Sequence, residues 1–511
     1  MNQPARKILI GDTPQKLPST AVEGVYVTLL GETFYQIRNY DALEPFFMSI
    51  VSSSDHWLFI SSSGGLSAGR VNAERALFPY YTEDKLTENS ENTGGKSIFL
   101  VTRGGQTWLW EPFSARQRGQ YVTERNLYKN VPGTALVFEE INHDLGLTVR
   151  YAWRTSEQFG FVKTAWLIND LDAVCQVELL DGLQNLLPAN VTSQTQNTFS
   201  CLLDGYKRSE LNPQAGLGIF ALNSTLTDLA EPSESLLATT VFQVGLDGDR
   251  YLLSSLQLDK FRAGWEVEPE VEIRGRRGAY FVHADLGLAP REERSWHLVA
   301  DVRQDAAAIV RTLNRLKDGD ATLGQEIEQD IADNTACLRQ IVASADGLQV
   351  SADPLCTSHH FANVMFNVMR GGVFADQYGF GKTDFVEFVS THHRVLLETH
   401  AAFFDNLPSH CQIADLQARA QASGSADLIR LSYMYLPLTF SRRHGDPSRP
   451  WNRFSISLKN ADGSRRLDFE GNWRDIFHNG PKVAKFLVGQ VPTCTNGVTM
   501  ATLSPPETQR S

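Results

Sequence analysis

The hydrophobic period of the chain changes once, close to residue 305, and this change constrains the fold more than any other feature. From about residue 20 to 303 the apolar side chains recur at every second position, as in β-strands. From Asp305 onwards they recur every three to four positions, as in α-helices. The pattern predicts a large all-β part followed by an α-helical part, and it argues against alternating strand–helix–strand units.

Eleven segments of the first part are predicted to be strands, since they are rich in Val, Thr and aromatic residues and are mostly bounded by Gly, Asn, Asp or Pro. They are residues 24–30, 56–62, 97–103, 106–111, 146–154, 159–168, 175–180, 237–244, 265–273, 279–286 and 295–302. So many strands without intervening helices favour a large antiparallel β-sandwich.

Helical spacing begins after Asp305, a residue type that caps helix N-termini, and it recurs up to Leu436, where Pro437 follows. The predicted organisation is a sandwich over 1–303, a helical linker over 304–346 and the opening of an α-helical domain over 347–479. The last 32 residues, 480–511, hold four prolines and five threonines without a sustained pattern. They are predicted to be poorly ordered.

Charge and cysteine content bear on partners and location. The chain has 59 acidic and 47 basic side chains and a net charge of −12, which argues against nucleic acid or an anionic membrane as partner. There is no run of 18 apolar residues, and Gly11 and Pro14 interrupt the start, so a cytoplasmic location is expected. The six cysteines form no CxxC pair and are expected to be buried, reduced thiols.

The histidines at 359–360, 392–393 and 400 lack an HExxH or carboxylate spacing, so no metal site is predicted there. The 9 Trp, 14 Tyr and 28 Phe suit sugar recognition, but they suit a large β core equally.

Three segments carry a resemblance to a known family. Residues 61–82 read SSSGGLSAGRVNAERALFPYYT, and Gly94-Gly95-Lys96 and Trp108-Leu109-Trp110 follow. This stretch resembles the amino-terminal sandwich of the inverting disaccharide phosphorylases, cellobiose phosphorylase and its relatives in glycoside hydrolase family 94. Over roughly residues 25–479, the resemblance implies a galactose-mutarotase-like supersandwich, a helical linker and an (α/α)6 barrel. The Gly-rich loop has strands on both sides, which favours a structural loop over a nucleotide site.

The segment Glu470-Gly471-Asn472-Trp473-Arg474-Asp475 is similar to the family's acidic–Trp–Asn–Asp motif. The resemblance implies that Asp475 is the general acid, with Trp473, Glu470 and Arg474 as substrate-binding neighbours. Arg474 departs from the family's Asn, and an ion pair between Arg474 and Asp475 is the alternative.

The segment Gly379–Asp384 (GFGKTD) resembles the family's Gly-Phe-Arg-Asp turn. By resemblance, Asp384 accepts hydrogen bonds from the hydroxyls of the non-reducing sugar, and Lys382 and Tyr378 belong to the same substrate-binding site. Tyr378 stands where relatives with a tight glucose subsite have Arg, which leaves the sugar open. The alternative is that Asp384 is the N-cap of the following helix.

The implied activity is that of a glycosyltransferase: reversible, inverting phosphorolysis of a β-glucosyl disaccharide or oligosaccharide to a sugar 1-phosphate. Inorganic phosphate is the co-substrate and no cofactor is needed. An inverting hydrolase with a second carboxylate and a non-catalytic carbohydrate-binding protein are the alternatives.

A complete barrel of twelve helices needs about 350 residues. About 165 follow residue 346, so an incomplete barrel, cut short near residue 480, is expected. Uncovered apolar helix faces at Phe361, Val364, Val368, Phe403 and Phe404 would then favour association, for example a homodimer.

Overall fold

The computed structural model describes residues 6, 8–224, 235–317, 322–443, 445–460 and 462–467. These residues form two compact units. The first comprises the described residues of Met1–Ala336 with Asp446–Asn452, and the second comprises Cys337–Gly445 with the described residues after Asn452. Among the described helices, none is both long and apolar enough to cross a bilayer.

The first unit is built on three antiparallel sheets. The strands of the largest follow in the order Glu272–Arg274, Lys207–Asn212, Leu217–Leu222, Ala238–Val244, Glu293–Gln304, Gly160–Asn169, Leu147–Ser156, Leu136–Asn142, Thr123–Asn130, Glu32–Arg38 and Glu23–Leu29. The second sheet has the order Gln106–Trp110, Gly94–Arg103, Cys175–Leu186, Gly278–Leu288 and Arg250–Leu252. The third has the order Phe47–Ile50, His56–Ser61, Leu66–Arg70 and Ala76–Phe78. The expected large antiparallel sheets are confirmed.

One apolar core joins these sheets, because Leu58, Phe99 and Phe138 come from the three different sheets and belong to the same buried cluster. A buried ion pair crosses it. Lys163 Nζ lies 2.5 Å from Asp181 Oδ1, and both side chains are almost fully buried. Ser97 Oγ and Trp296 Nε1 also donate to this carboxylate, so its charge is fully hydrogen-bonded.

The helices of the first unit are short before residue 305 and long after it. They are Glu83–Glu88, Ser193–Phe199, Leu258–Arg262, Ala306–Lys317 and Leu323–Ala343, the last of which continues past residue 336. Three further 3₁₀ segments occupy Tyr40–Ala42, Ala115–Gln117 and Ser200–Tyr206. The predicted cap is confirmed, since the Ala308 amide donates to Asp305 Oδ1 at 2.7 Å.

The second unit is mainly helical. Its helices are Pro354–Gly371, Lys382–Thr399, Ala401–Asp405, Ile413–Ala422 and Ala426–Met434. Two short antiparallel ladders pair Val373–Phe374 with Leu438–Thr439 and Gly379–Gly381 with His410–Gln412. A two-stranded ladder, Leu9–Ile10 with Thr13–Pro14, lies near the amino terminus in the first unit.

Some sequence predictions are wrong. The strand predicted at 265–273 is wrong over 265–271: Trp265 is 67% exposed, and the observed strand is Glu272–Arg274. Pro269 lacks an amide hydrogen, and Gly264 takes a positive φ of 75° just before the segment, so a continuous ladder is disfavoured. The expected uncovered faces are also wrong, because Phe361, Val368 and Phe404 are buried.

The expectation that the cysteines are buried is wrong for three of them. The five described ones are free thiols, but Cys201, Cys337 and Cys356 are exposed rather than buried. The predicted domain limits at 303, 346 and 479 stay predictions. The tail 480–511, with its predicted disorder, lies outside the described residues.

Candidate functional site

The segment that resembles the sugar-binding turn leads into a helix. Gly379–Gly381 pairs with His410–Gln412, and the helix Lys382–Thr399 begins directly after it. A Cβ at Gly379 would lie 2.6 Å from Nε2 of the exposed His410 side chain, so a larger residue here would displace that ring. The Lys382 amide donates to the Ser409 carbonyl at 3.0 Å and fixes the start of the helix.

Asp384 lies in the first turn of this helix, but it is not the N-cap. Gly381 occupies the cap position, and no side chain caps the helix there. The Asp384 carboxylate instead accepts a hydrogen bond at Oδ2 from the Tyr435 hydroxyl. The capping alternative is therefore wrong, and Asp384 is joined to a residue directly after the helix Ala426–Met434.

The pKa of Asp384 is raised above its ordinary value of 3.8. Burial is the main cause, because it disfavours the charged form. The hydrogen bond from Tyr435 opposes the shift, and the negative charge of Glu387 adds to it. In its charged form, a half-buried carboxyl of this kind can accept hydrogen bonds from hydroxyl groups.

Three phenylalanine rings surround the Tyr435 ring. The centroids of Phe380, Phe385 and Phe388 lie 5.0, 5.1 and 5.3 Å from it. This apolar enclosure raises the pKa of Tyr435 through burial, and the hydrogen bond to Asp384 raises it further. The hydroxyl therefore stays protonated and remains a donor to the carboxylate.

Lys382 and Tyr378 have structural partners. Lys382 Nζ donates to the Asp405 carbonyl, 3.1 Å away, at the end of the helix Ala401–Asp405. The Tyr378 ring packs 4.9 Å from the Phe374 ring, and burial raises its pKa. Gln377 and Tyr378 both have positive φ, 61° and 127°, which strains the backbone just before the Gly-rich strand. Direct contact of either side chain with a sugar stays a prediction.

Four predicted site residues lie outside the described residues: Glu470, Trp473, Arg474 and Asp475. Their roles stay predictions. Sequence reasoning missed Tyr435. Its only signal is a tyrosine inside the helical stretch predicted up to Leu436, and it lies 51 positions after Asp384.

The Gly-rich segment of the first unit forms a hairpin, with strands His56–Ser61 and Leu66–Arg70 on either side of the turn. A cavity of about 30 Å³ lies beside it, lined in part by Gly64, Gly95 and Lys96. Lys96 is paired with Glu91 and Glu111, so its charge is already neutralised. The cavity has room for about one water molecule, which favours the structural interpretation of the loop.

A wider cleft of about 240 Å³ lies between the helix Ala306–Lys317 and the largest sheet of the first unit. Phe159 and Phe242 line it together with Arg311 and Arg315. Arg315 already lies over the Phe159 ring, 5.2 Å from its centroid, and pairs with Glu326. The Asp384 site is the stronger candidate for recognising hydroxyls.

A family model locates the Asp384 site within a known kind of domain. Residues 374–437 match glycoside hydrolase family 149 insertion domain 1. The matched segment contains Tyr378, Lys382, Asp384 and Tyr435. It is therefore similar to a domain of carbohydrate-active enzymes, whereas the narrower assignment to glycoside hydrolase family 94 stays a prediction.

No curated protein matches the chain. Solved structures with partial similarity include a bacterial glucoamylase complexed with acarbose, at a TM-score of 0.33 and 11% identity. The similarity covers 76% of this chain and 55% of the glucoamylase chain. They also include a protein from the human microbiome provisionally assigned as a kojibiose phosphorylase, at a TM-score of 0.29 and 8% identity. The similarity covers 71% of this chain and 44% of that protein. A family GH92 α-mannosidase from Bacteroides thetaiotaomicron has a TM-score of 0.29 at 9% identity, with 39% of that chain and 66% of this one covered. The chain spans about half or less of these proteins, and TM-scores this low do not establish a shared fold.

Proposed function

We propose that the chain is a carbohydrate-active protein of the glycoside phosphorylase type. The observation that carries the proposal is the Asp384–Tyr435 pair inside the segment that matches a glycoside hydrolase insertion domain. Its substrate is a β-linked glucosyl disaccharide or oligosaccharide, and inorganic phosphate is the second substrate.

Asp384 binds the sugar through its carboxylate. Vicinal hydroxyls donate to it, and such charge-assisted hydrogen bonds are stronger than neutral ones. Tyr435 occupies Oδ2 and fixes the orientation of the carboxyl group, which presents Oδ1 to a ligand. The neighbouring Phe388 is only partly buried and adds apolar surface beside this carboxylate.

The proposed chemistry uses Asp475 as general acid. It protonates the glycosidic oxygen of the leaving sugar while phosphate attacks the anomeric carbon from the opposite face, which inverts the configuration. Phosphate is already an anionic nucleophile, so no protein base is required. Trp473, Glu470 and Arg474 are proposed to bind the same substrate, together with Asp384, Lys382 and Tyr378. We also propose a cytoplasmic location and a homodimer.

An assay with and without inorganic phosphate tests this activity. We expect a panel of β-linked glucosyl disaccharides to yield a sugar 1-phosphate only when phosphate is present. Asp475→Asn should reduce that turnover by about 10²–10⁴-fold, because the proton donor is lost. Cleavage that is indifferent to phosphate would instead indicate the inverting hydrolase. Saccharide binding without turnover, with or without phosphate, would indicate that the chain is a non-catalytic carbohydrate-binding protein.

A further inference from the structure

A second cluster of polar side chains lies on one face of the five-stranded sheet. Along the strand Gly278–Leu288, the alternate residues Phe281, His283 and Asp285 share this face. Phe281 is buried in an apolar cluster, His283 is 1% exposed, and Asp285 is exposed. The imidazole of His283 therefore lies at the boundary between this apolar cluster and the solvated surface.

The His283 ring is fixed in place from behind. Its Nδ1 lies 2.5 Å from Asp249 Oδ1, and the Asp249 amide donates to the His283 carbonyl at 3.2 Å. Arg250 Nε lies 3.2 Å from the second carboxylate oxygen of Asp249. The Phe261 ring meets the imidazole edge to face at 5.9 Å. These contacts direct Nε2 towards the solvated edge of the cluster.

Two carboxylates lie near the imidazole. Glu178 Oε1 lies 2.9 Å from His283 Nε2, and Glu178 stands directly opposite Asp285 across the antiparallel ladder. One ligand atom from each of Glu178, His283 and Asp285 lies within 4.8 Å of the other two. Like charges opposite each other on neighbouring strands repel, so this arrangement calls for a positive charge between them.

We infer that Glu178, His283 and Asp285 form a binding site for a divalent transition-metal ion of the Zn²⁺ type. Zinc takes His nitrogen and Asp or Glu oxygen as ligands in four-coordinate sites, so one imidazole nitrogen and two carboxylate oxygens leave a fourth position for water. Asp249 then plays the part of the carboxylate that receives the other ring N–H of a metal-bound histidine. The imidazole ligand favours such an ion over Mg²⁺ or Ca²⁺, which prefer oxygen ligands alone.

The site lies outside the histidine pairs that the sequence brings to attention. Glu178 and His283 are 105 residues apart and meet only because their strands are neighbours in the sheet. The competing account is a doubly protonated His283 that pairs with Asp249 and Glu178 and needs no metal.

Titration of the full chain with Zn²⁺ distinguishes the two accounts. Cys201, Cys337 and Cys356 are exposed thiols that could bind zinc, so the metal-free protein is alkylated before calorimetry. We expect saturable binding of one equivalent. Glu178→Gln and Asp285→Asn should each weaken it at least about tenfold, and Asp249→Asn by about 10–100-fold.

Glu210→Gln is the matched control. Glu210 also faces a carboxylate, Glu272, across an antiparallel ladder, but Arg208 bonds to both. This variant should bind Zn²⁺ like the unaltered chain. Zn²⁺ should also raise the melting temperature of the unaltered chain and of Glu210→Gln, and not that of Glu178→Gln. Absence of saturable binding, or equal binding by Glu178→Gln and Glu210→Gln, would overturn the proposal in favour of the ion-paired histidine.

Discussion

At the scale of single residues, the Asp384–Tyr435 hydrogen bond is the feature on which the proposed sugar recognition depends. We expect Asp384→Asn to weaken binding of a β-linked glucosyl disaccharide at least about tenfold, because charge-assisted hydrogen bonds contribute about 1.5–3 kcal/mol. Tyr435→Phe should weaken it less and lower the stability by about 1 kcal/mol, since the carboxylate stays but loses its donor. Calorimetric titration and urea unfolding measure both effects.

Tyr433→Phe is the control for this pair. Tyr433 lies two residues before Tyr435, and its hydroxyl accepts from Gln421 at an exposed position. Its loss should leave saccharide affinity unchanged. Equal affinity of Asp384→Asn and the unaltered chain for every sugar that binds would contradict the role given to Asp384.

The raised pKa of Asp384 also makes a pH prediction. The folded state holds the proton of the Asp384 carboxyl more tightly than the unfolded state does. The stability gained from this difference is therefore full below the unfolded pKa and is lost as the pH rises through the folded pKa. On acidification from neutral pH, the unaltered chain should therefore gain stability relative to Asp384→Asn. Urea unfolding of both proteins at several pH values measures the difference. A stability difference between the two proteins that stays constant across this pH range would contradict a raised pKa of Asp384.

The ion pair in the core of the first unit is a second residue-scale feature. Lys163→Met should lower the free energy of unfolding by about 3–5 kcal/mol, since it leaves the Asp181 carboxylate buried without its cation. Adding Asp181→Asn should recover part of that loss, which urea unfolding of the single and double variants measures. Additive losses in the double variant would show that the two charges are not coupled.

At the scale of elements, the close approach of strands in the five-stranded sheet depends on a glycine. A Cβ at Gly182 would lie 2.2 Å from the Tyr280 carbonyl and 2.4 Å from Phe281 Cδ1. Gly182→Ala should therefore destabilise the protein by about 1–3 kcal/mol, measured by thermal and urea unfolding. Gly205→Ala is its control, because nothing lies within 4 Å of the added carbon. A loss at Gly182 no larger than at Gly205 would contradict the packing.

Elements also differ in how far they are predictable. The helices after residue 305 were predicted because their apolar spacing and the Asp305 cap are local signals. The strand Thr123–Asn130 was not predicted, although it pairs on both sides. Its sequence, TERNLYKN, is mostly polar, and the buried Asn126 is satisfied by Glu124 and Glu139. Such burial depends on partners in other strands and leaves no alternation to detect.

At the scale of the whole molecule, the change of period near residue 305 separated an all-β part from a helical part without any long-range information. Local spacing indicates a strand or a helix wherever an element buries one face against the core. Sequence resemblance also selected Asp384. The resemblance did not identify Tyr435 as the hydrogen-bond partner of Asp384. The two residues meet because aromatic rings from separate elements pack together.

The amino-acid sequence by itself therefore determined the order of the two structural classes and the start of the helix that Asp305 caps. Only the tertiary structure decided which strands are neighbours, for example Ala238–Val244 and Gly160–Asn169 on either side of Glu293–Gln304. It also decided that Lys163 meets Asp181 and that Glu178 meets His283. The physical reason is that strand register and buried charge pairs depend on complementary surfaces far apart in the chain, whereas helical spacing and caps depend on residues within a few positions.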